Sequence, residues 1–493
     1  MDHAGDGTTA SDRPVMAWGP VGAVAVLLGV AVAAGSNSYG YHRDELYFRL
    51  LGEHPAWGYV DQPPLTPLLA RLMTSVFGDH LWALRIPGSL AVVATAILTA
   101  LLARELGGGR AAQLLAALGA AGAFPLVFGH VLLTATVDMV VLAAVLLFVV
   151  RALQGNPRWW LAAGLGVGIG LYNKQLVVLT LIAIGVSLLA VGPRRVLASR
   201  WLWAGVAVAL VVGAPNVIYQ ITHDWPQLKM ANAIREDKGA DSRTLFVPFQ
   251  LVMLGIFVVP IWVAGFVRLW RTRELRAIAL AYPVICVLVL VTGGQPYYPL
   301  GLMLALFAAG CPSAVRWAAA RSGRRVLLGA AVVLNLAVAA LVALPLMPVS
   351  ALAKTPIADI NQGTSDQIGW PVYVQQITSV YTSLPSADHA HTVILTANYG
   401  EAGALDRYGV DLPAVYSGHN ELWYRGRPAD DATVVIAVGF GDSLSALFAS
   451  CQVARDLDNG VDIPNEEQDN DIRVCRDPVD SWATLWPRLQ HYS

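Results

Sequence analysis

The sequence predicts an α-helical polytopic membrane protein, with about eleven transmembrane helices and a small C-terminal α/β domain outside the membrane. Three observations carry that prediction. Of 493 residues, 56% are hydrophobic and only 14% charged, against roughly 25% charged in an ordinary soluble domain. The mean hydropathy of +0.54 is too high for one buried core, because single cores stop growing near about 250–300 residues. The near-neutral net charge of -1 also hides a division. Residues 351–493 carry 8 basic and 19 acidic side chains, and the rest of the chain carries 25 and 15. A soluble enzyme, a disordered protein and a disulfide-rich secreted module are all excluded.

A helix needs about 20 mainly apolar residues to cross a bilayer core. Apolar runs at 17–36, 81–103, 111–129, 135–153, 159–172, 175–191, 201–221, 246–267, 277–293, 299–315 and 326–347 make eleven if the two short ones, 159–172 and 175–191, are separate. The first run has the length of a signal peptide. Residues 33–45 offer no convincing small-residue cleavage site, so a retained helix is expected. The expected organisation is a cytoplasmic tail at 1–16, a membrane domain at 17–347 with a long first outer loop at 37–80, and an outer domain at 348–493. With the N-terminus inside, the short inner segments hold 16 arginines, and the outer segments before residue 350 hold nine Lys and Arg. Positive charge favours the cytoplasmic side, and an odd number of helices puts the C-terminus outside. The expected location is the plasma membrane.

The tail reads as strands at 391–397, 432–439 and near 472–475. Asp442 and Ser443 stand where they would cap a helix running to Phe448. Trp482, Leu485, Trp486 and Leu489 have the spacing of an amphipathic helix over 480–489, lying on the domain or on the membrane. Cys286 and Cys311 fall in membrane runs and read as small packing residues. Cys451 and Cys475 lie in the tail, where an oxidising exterior would permit a disulfide; spacing leaves the pairing open.

The polar residues are the informative ones. The 37–80 loop is far longer than a connector needs. It starts with His42, Arg43, Asp44 and Glu45, close to the bilayer surface. Pro63 and Pro64 open a helix for which Asp61 could serve as N-cap. Leu65, Leu68, Leu69, Leu72, Met73 and Val76 give that helix one apolar stripe, so it should lie in the interface. Asp44 and Glu45 could simply begin a helix, since acids favour helix N-termini. Asp138 stands at the outer end of the fourth run, where an acid is expensive and usually functional. Lys174 sits where two short runs meet; it either snorkels to the surface or supplies a point charge for a phosphate. Tyr297 and Tyr298 fall in an outer Pro-flanked turn. Asp44, Asp138, Lys174 and Tyr297 therefore map to one face of the membrane. The alternate glycines 164, 166, 168 and 170 predict close helix packing, and no glycine-rich nucleotide fingerprint is present.

The segments Tyr41-His42-Arg43-Asp44-Glu45-Leu46-Tyr47-Phe48, Trp57-Gly58-Tyr59-Val60-Asp61-Gln62-Pro63-Pro64-Leu65 and Asn398-Tyr399-Gly400-Glu401-Ala402-Gly403-Ala404 resemble the bacterial membrane glycosyltransferases of family 39. That family stands with the protein O-mannosyltransferases and the lipid A aminoarabinose transferases. The resemblance implies a GT-C fold and a polyprenyl-phosphate-linked sugar donor used on the extracytoplasmic face, with inversion at the anomeric carbon. It implies Asp44 as the base towards the acceptor hydroxyl or as the group that positions the acceptor, with Glu45 beside it. Asp138 matches the second outer-loop acid, with Asp61 and His42 as further acceptor-side candidates. Lys174 would hold the donor phosphate, where a cation favours the departing group, with Tyr297 and Tyr298 nearby. The acceptor would be an envelope protein, polysaccharide or lipid; membrane lipids are the other partner, and nucleic acid is not one. The acidic pair could host a divalent metal, although no ligand set is spelled out. The rival class is a transporter or lipid flippase using Asp138 and Lys174 as a coupled pair. Transporters commonly carry internal repeats, and no second copy of the 42–65 pattern is present.

Overall fold

The computed structural model describes residues 13–493. The expected tail at 1–16 lies largely outside them. The chain divides into two compact units: Met1–Gly35, Arg85–Trp225 and Ile234–Leu344 form the first, and Ser36–Leu84, Pro226–Ala233 and Pro345–Ser493 form the second.

Among its described residues the first unit holds helices and no strand. Among the described residues, five helices are long and apolar enough to cross a membrane, Leu81–Glu105, Thr134–Gln154, Arg200–Thr222, Leu300–Ala319 and Ser322–Ala343. Trp18–Ala34, Trp159–Gly170, Leu176–Val191 and Arg276–Thr292 are shorter apolar helices. Two of the expected runs are broken. The 111–129 run bends by 58° between Arg110–Ala121 and Ala123–His130. The 246–267 run bends by 63° between Pro226–Val252 and Ile256–Arg271. A break frees backbone groups that an apolar surrounding cannot satisfy, and here each break supplies the other. The Phe124 amide donates to the Met253 carbonyl at 3.0 Å, and Asn335 Nδ2 donates to the Leu254 carbonyl at 2.8 Å. A Cβ at Gly122 would meet Leu254 Cα at 2.8 Å, so the bend needs glycine there.

Glycine also sets the helix spacing. A Cβ on Gly164 would fall 2.0 Å from the Gly205 carbonyl oxygen, and one on Gly168 would fall 2.6 Å from Val212. The glycine run thus lets Trp159–Gly170 lie directly against Arg200–Thr222. One buried acid organises the arginines of this unit: Glu105 receives Arg13 at 2.7 Å, Arg151 at 2.9 Å and Arg104 at 3.1 Å.

The second unit joins the first loop to the C-terminal segment. Its sheet has the order β2-β1-β3-β5-β4, with β1 Thr392–Thr396, β2 Val415–Ser417, β3 Val434–Val438, β4 Phe448–Asp456 and β5 Asp471–Pro478. β1 runs parallel to β2 and β3, and β5 runs antiparallel to β3 and β4. Cys451 and Cys475 face each other across β4 and β5 and form a disulfide. The helix expected to follow Asp442 is a 3-10 turn, Gly441–Leu447, and Phe448 already belongs to β4. Asp442 caps nothing there; it pairs with Arg473 at 2.6 Å. The 480–489 helix forms as a short α segment, Trp482–Leu485, continued by a 3-10 turn, Trp486–Leu489. Its four apolar residues are buried in the core of the sheet.

Candidate active site

The predicted site residues gather in two clusters, one in each unit. In the second unit the Arg43–Glu53 helix begins with a reciprocal cap. His42 Nδ1 accepts from the Asp44 amide at 3.1 Å, and the Glu45 carboxylate accepts from the His42 amide at 2.8 Å. His42 and the fully buried Glu45 therefore fix the helix start, and Asp44 is left pointing from the first turn. Its Oδ1 accepts a hydrogen bond from the Tyr399 hydroxyl at 2.8 Å.

The Asn398 stretch explains how Tyr399 arrives there. Asn398 caps the Tyr399–Tyr408 helix, accepting from the Glu401 amide at 3.0 Å while Glu401 accepts from the Asn398 amide at 3.1 Å. A Cβ on Gly400 would meet Arg43 Cβ at 3.0 Å and Trp370 at 2.9 Å, and one on Gly403 would meet Leu46 Cβ at 2.8 Å. The two glycines, three residues apart and so on one face, let this helix lie against Arg43–Glu53. Tyr399 stacks between Tyr47 at 4.4 Å and His419 at 4.7 Å, and His491 continues the stack at 4.7 Å. The Arg43 guanidinium lies 5.0 Å over the same ring and pairs with Glu466.

Asp61 does not cap the Leu65–Phe77 helix, whose N-cap is Pro64 without a side-chain bond. Its Oδ1 instead accepts from the Tyr47 hydroxyl at 3.2 Å. The apolar stripe of that helix is largely on the surface, with Leu68, Leu72, Val76 and Phe77 exposed, while Thr66, Pro67 and Ala70 are buried.

Burial shifts the charges of this cluster. Desolvation, aided by the charge of Glu421, pushes the Asp61 carboxyl up to about 7. Desolvation, and then Glu467, pushes Glu401 up to about 8. The Tyr399 phenol lies well above its ordinary value, first through burial and then through the charge of Asp44, so it stays a donor. Among the described residues no three His, Cys, Asp or Glu side chains are grouped to hold a metal ion.

In the first unit, Lys174 Nζ donates to the Tyr297 hydroxyl at 3.3 Å and lies 5.7 Å and 5.1 Å from the ring centres of Tyr297 and Tyr298. Asp138, buried in the second turn of Thr134–Gln154, accepts from Asn173 Nδ2 at 2.8 Å. Asn173 also donates to the Thr134 carbonyl at 2.8 Å, which ties the residue before Lys174 to the start of that helix. Sequence reasoning singled out Asp138, Lys174, Tyr297 and Tyr298 and missed Asn173. In the other cluster it missed the roles of Tyr399, Tyr47 and Arg43, although all three lie in segments that stood out.

Residues 61–219, about a third of the chain, match the family model described as dolichyl-phosphate-mannose-protein mannosyltransferase. The matched stretch contains Asp61, Asp138 and Lys174. No curated protein sequence matches the chain. Among solved structures, ArnT from Cupriavidus metallidurans in the apo state aligns over 92% of this chain and 97% of its own, at 14% identity and a TM-score of 0.58. The same protein bound to undecaprenyl phosphate aligns over 93% and 98%, at 15% identity and a TM-score of 0.52. The arabinofuranosyltransferase AftD from Mycobacteria aligns over 96% of this chain and 41% of its own, at 13% identity and a TM-score of 0.53. The chain has the GT-C fold implied by the first-loop motif: a mostly helical membrane protein with a small C-terminal sheet domain.

Proposed function

We propose that this chain, a GT-C protein whose residues 61–219 match the protein mannosyltransferase model, is a membrane glycosyltransferase. It moves a sugar from a polyprenyl-phosphate donor to a hydroxyl of an envelope protein, polysaccharide or lipid. Asp44 takes the proton of the acceptor hydroxyl, the acceptor oxygen attacks the anomeric carbon, and the bond to the phosphate breaks with inversion. The leaving phosphate gains charge as the sugar departs, and a preplaced cation stabilises that charge. Lys174 supplies it, held by the Tyr297 hydroxyl and beside Asp138. A lipid phosphate is a good leaving group, so this chain's own residues need only bind, orient and move one proton.

The observation that carries the reading is the family match over Asp138 and Lys174, the latter's cation lying 5.7 Å and 5.1 Å from the ring centres of Tyr297 and Tyr298. The excess of arginine on the short inner links supports an N-terminus in the cytoplasm and the sheet domain outside the plasma membrane. The test is to incubate the purified protein in detergent with polyprenyl-phosphate sugars and acceptor extracts, and to follow release of the lipid phosphate. A transferase consumes the donor. A transporter or flippase has no vectorial task in detergent and leaves it intact.

A further inference from the structure

The sheet domain contributes a side chain to Asp44. Tyr399 lies at the start of a helix that follows β1 directly, 355 residues from Asp44 in sequence, and its hydroxyl donates to Asp44 Oδ1 at 2.8 Å. Three features fix that hydroxyl. The Asn398–Glu401 cap sets the helix start. Gly400 and Gly403 bring the helix against Arg43 and Leu46. The ring is clamped between Tyr47 and His419, under Arg43. A buried phenol ordinarily finds a hydrogen-bond partner; here that partner is one oxygen of the Asp44 carboxylate.

We infer that Tyr399 is the positioning residue for Asp44, tying up Oδ1 so that Oδ2 is the oxygen that receives the acceptor proton. The inference rests on the reading of Asp44 as the base. In the step, the acceptor O–H bond breaks and its proton goes to Asp44 Oδ2. The acceptor oxygen bonds the anomeric carbon, and the pair of the breaking carbon–oxygen bond leaves with the lipid phosphate. Asp44 then returns the proton to solvent. The charged and titratable groups that feel Asp44 include Arg43 on its own helix, Asp61 in the first loop, and Tyr399 itself. The C-terminal domain is thus part of the proton-transfer apparatus, and the first loop alone does not hold the base in its working geometry.

The test uses the full chain in lipid nanodiscs and a readout that does not need turnover. Infrared difference spectra across a pH series follow the Asp44 carboxyl, identified as the band missing from Asp44→Asn. Tyr399→Phe keeps the ring in its stack and removes one donor to the carboxylate, so the Asp44 midpoint should rise by about one to two pH units. A fluorinated tyrosine at 399 keeps the shape and strengthens the donor, so it should lower the midpoint. A midpoint unmoved by either replacement overturns the inference. Turnover measured alongside separates the two levels. Full activity in Asp44→Asn overturns the base reading and this inference with it. An inactive Asp44→Asn beside a Tyr399→Phe with wild-type rate and wild-type midpoint overturns the inference alone.

Discussion

Gly403 lies directly against Leu46: a Cβ built on the glycine would fall 2.8 Å from that of Leu46 and 3.0 Å from its backbone carbonyl carbon. This contact decides how closely the Tyr399–Tyr408 helix approaches the helix that carries Asp44. Gly403→Val is therefore expected to destabilise the protein by about 1–3 kcal/mol through overpacking and to reduce sugar transfer. Gly185 is the control, since a Cβ there meets nothing within 4 Å. Gly185→Ala should leave thermal stability unchanged or raise it by up to about 1 kcal/mol. Melting curves and transfer rates of the two variants check both statements; equal behaviour would show that the close approach is not needed.

A second prediction concerns pH. Glu401 is buried, and its carboxyl is pushed up to about 8 from the ordinary 4.5. Between those values the folded chain holds a proton that the unfolded chain releases, so stability falls as pH rises across the window. The slope from this one group is at most about 1.4 kcal/mol per pH unit. Glu401→Gln keeps an oxygen for the Asn398 amide and cannot ionise. The melting temperature of the wild type should decline from pH 5 to pH 8, and that of Glu401→Gln should decline less. Parallel curves would contradict the assignment.

The disulfide gives a third. Cys451 and Cys475 are separated by 24 positions and pair across β4 and β5. Closing a loop of that length stabilises by about 3 kcal/mol on the chain-entropy account. Reduction, or Cys451→Ser with Cys475→Ser, should lower the melting temperature of the sheet domain, while Cys286→Ala, a substitution outside the bond, should keep the wild-type response to reductant. A melting curve unmoved by reductant would show that the bond does not stabilise the domain.

Lys174 provides a fourth. Lys174→Gln keeps a donor for Tyr297 but removes the positive charge. Transfer from a polyprenyl-phosphate sugar should fall about a hundredfold or more in kcat/KM, the scale of losing one preplaced stabiliser of developing charge. Wild-type kcat/KM in this variant would place the phosphate elsewhere.

Much of this architecture is legible in the sequence because length and apolarity are local properties. The membrane runs, the glycine face at 164–170 and the strands at 392–396 and 434–438 all announce themselves within a dozen residues. The two broken helices do not. Apolar composition continues unchanged through Gly122 and Gly255, and only the mutual satisfaction of their backbone groups marks the break. β4 is equally silent, because almost every residue after Phe448 is exposed or half-exposed and no alternation of burial appears. In the site, the cap at the start of the Arg43–Glu53 helix was hidden because His42 replaces the usual Ser or Thr before a Glu three positions on. The role of Tyr399 was hidden for a different reason. Its motif stood out, but a partner 355 residues away is set by tertiary packing, which no local pattern encodes.

Asp44 is proposed as the base of a transfer from a lipid-phosphate sugar. The most direct measurement compares the wild type with Asp44→Asn in nanodiscs, each offered a panel of polyprenyl-phosphate sugars with envelope acceptors, and follows lipid phosphate release. With Asp44 as the base, the wild type turns over one donor class and an Asp44→Asn that melts normally turns over none. Equal turnover by the two proteins would contradict it.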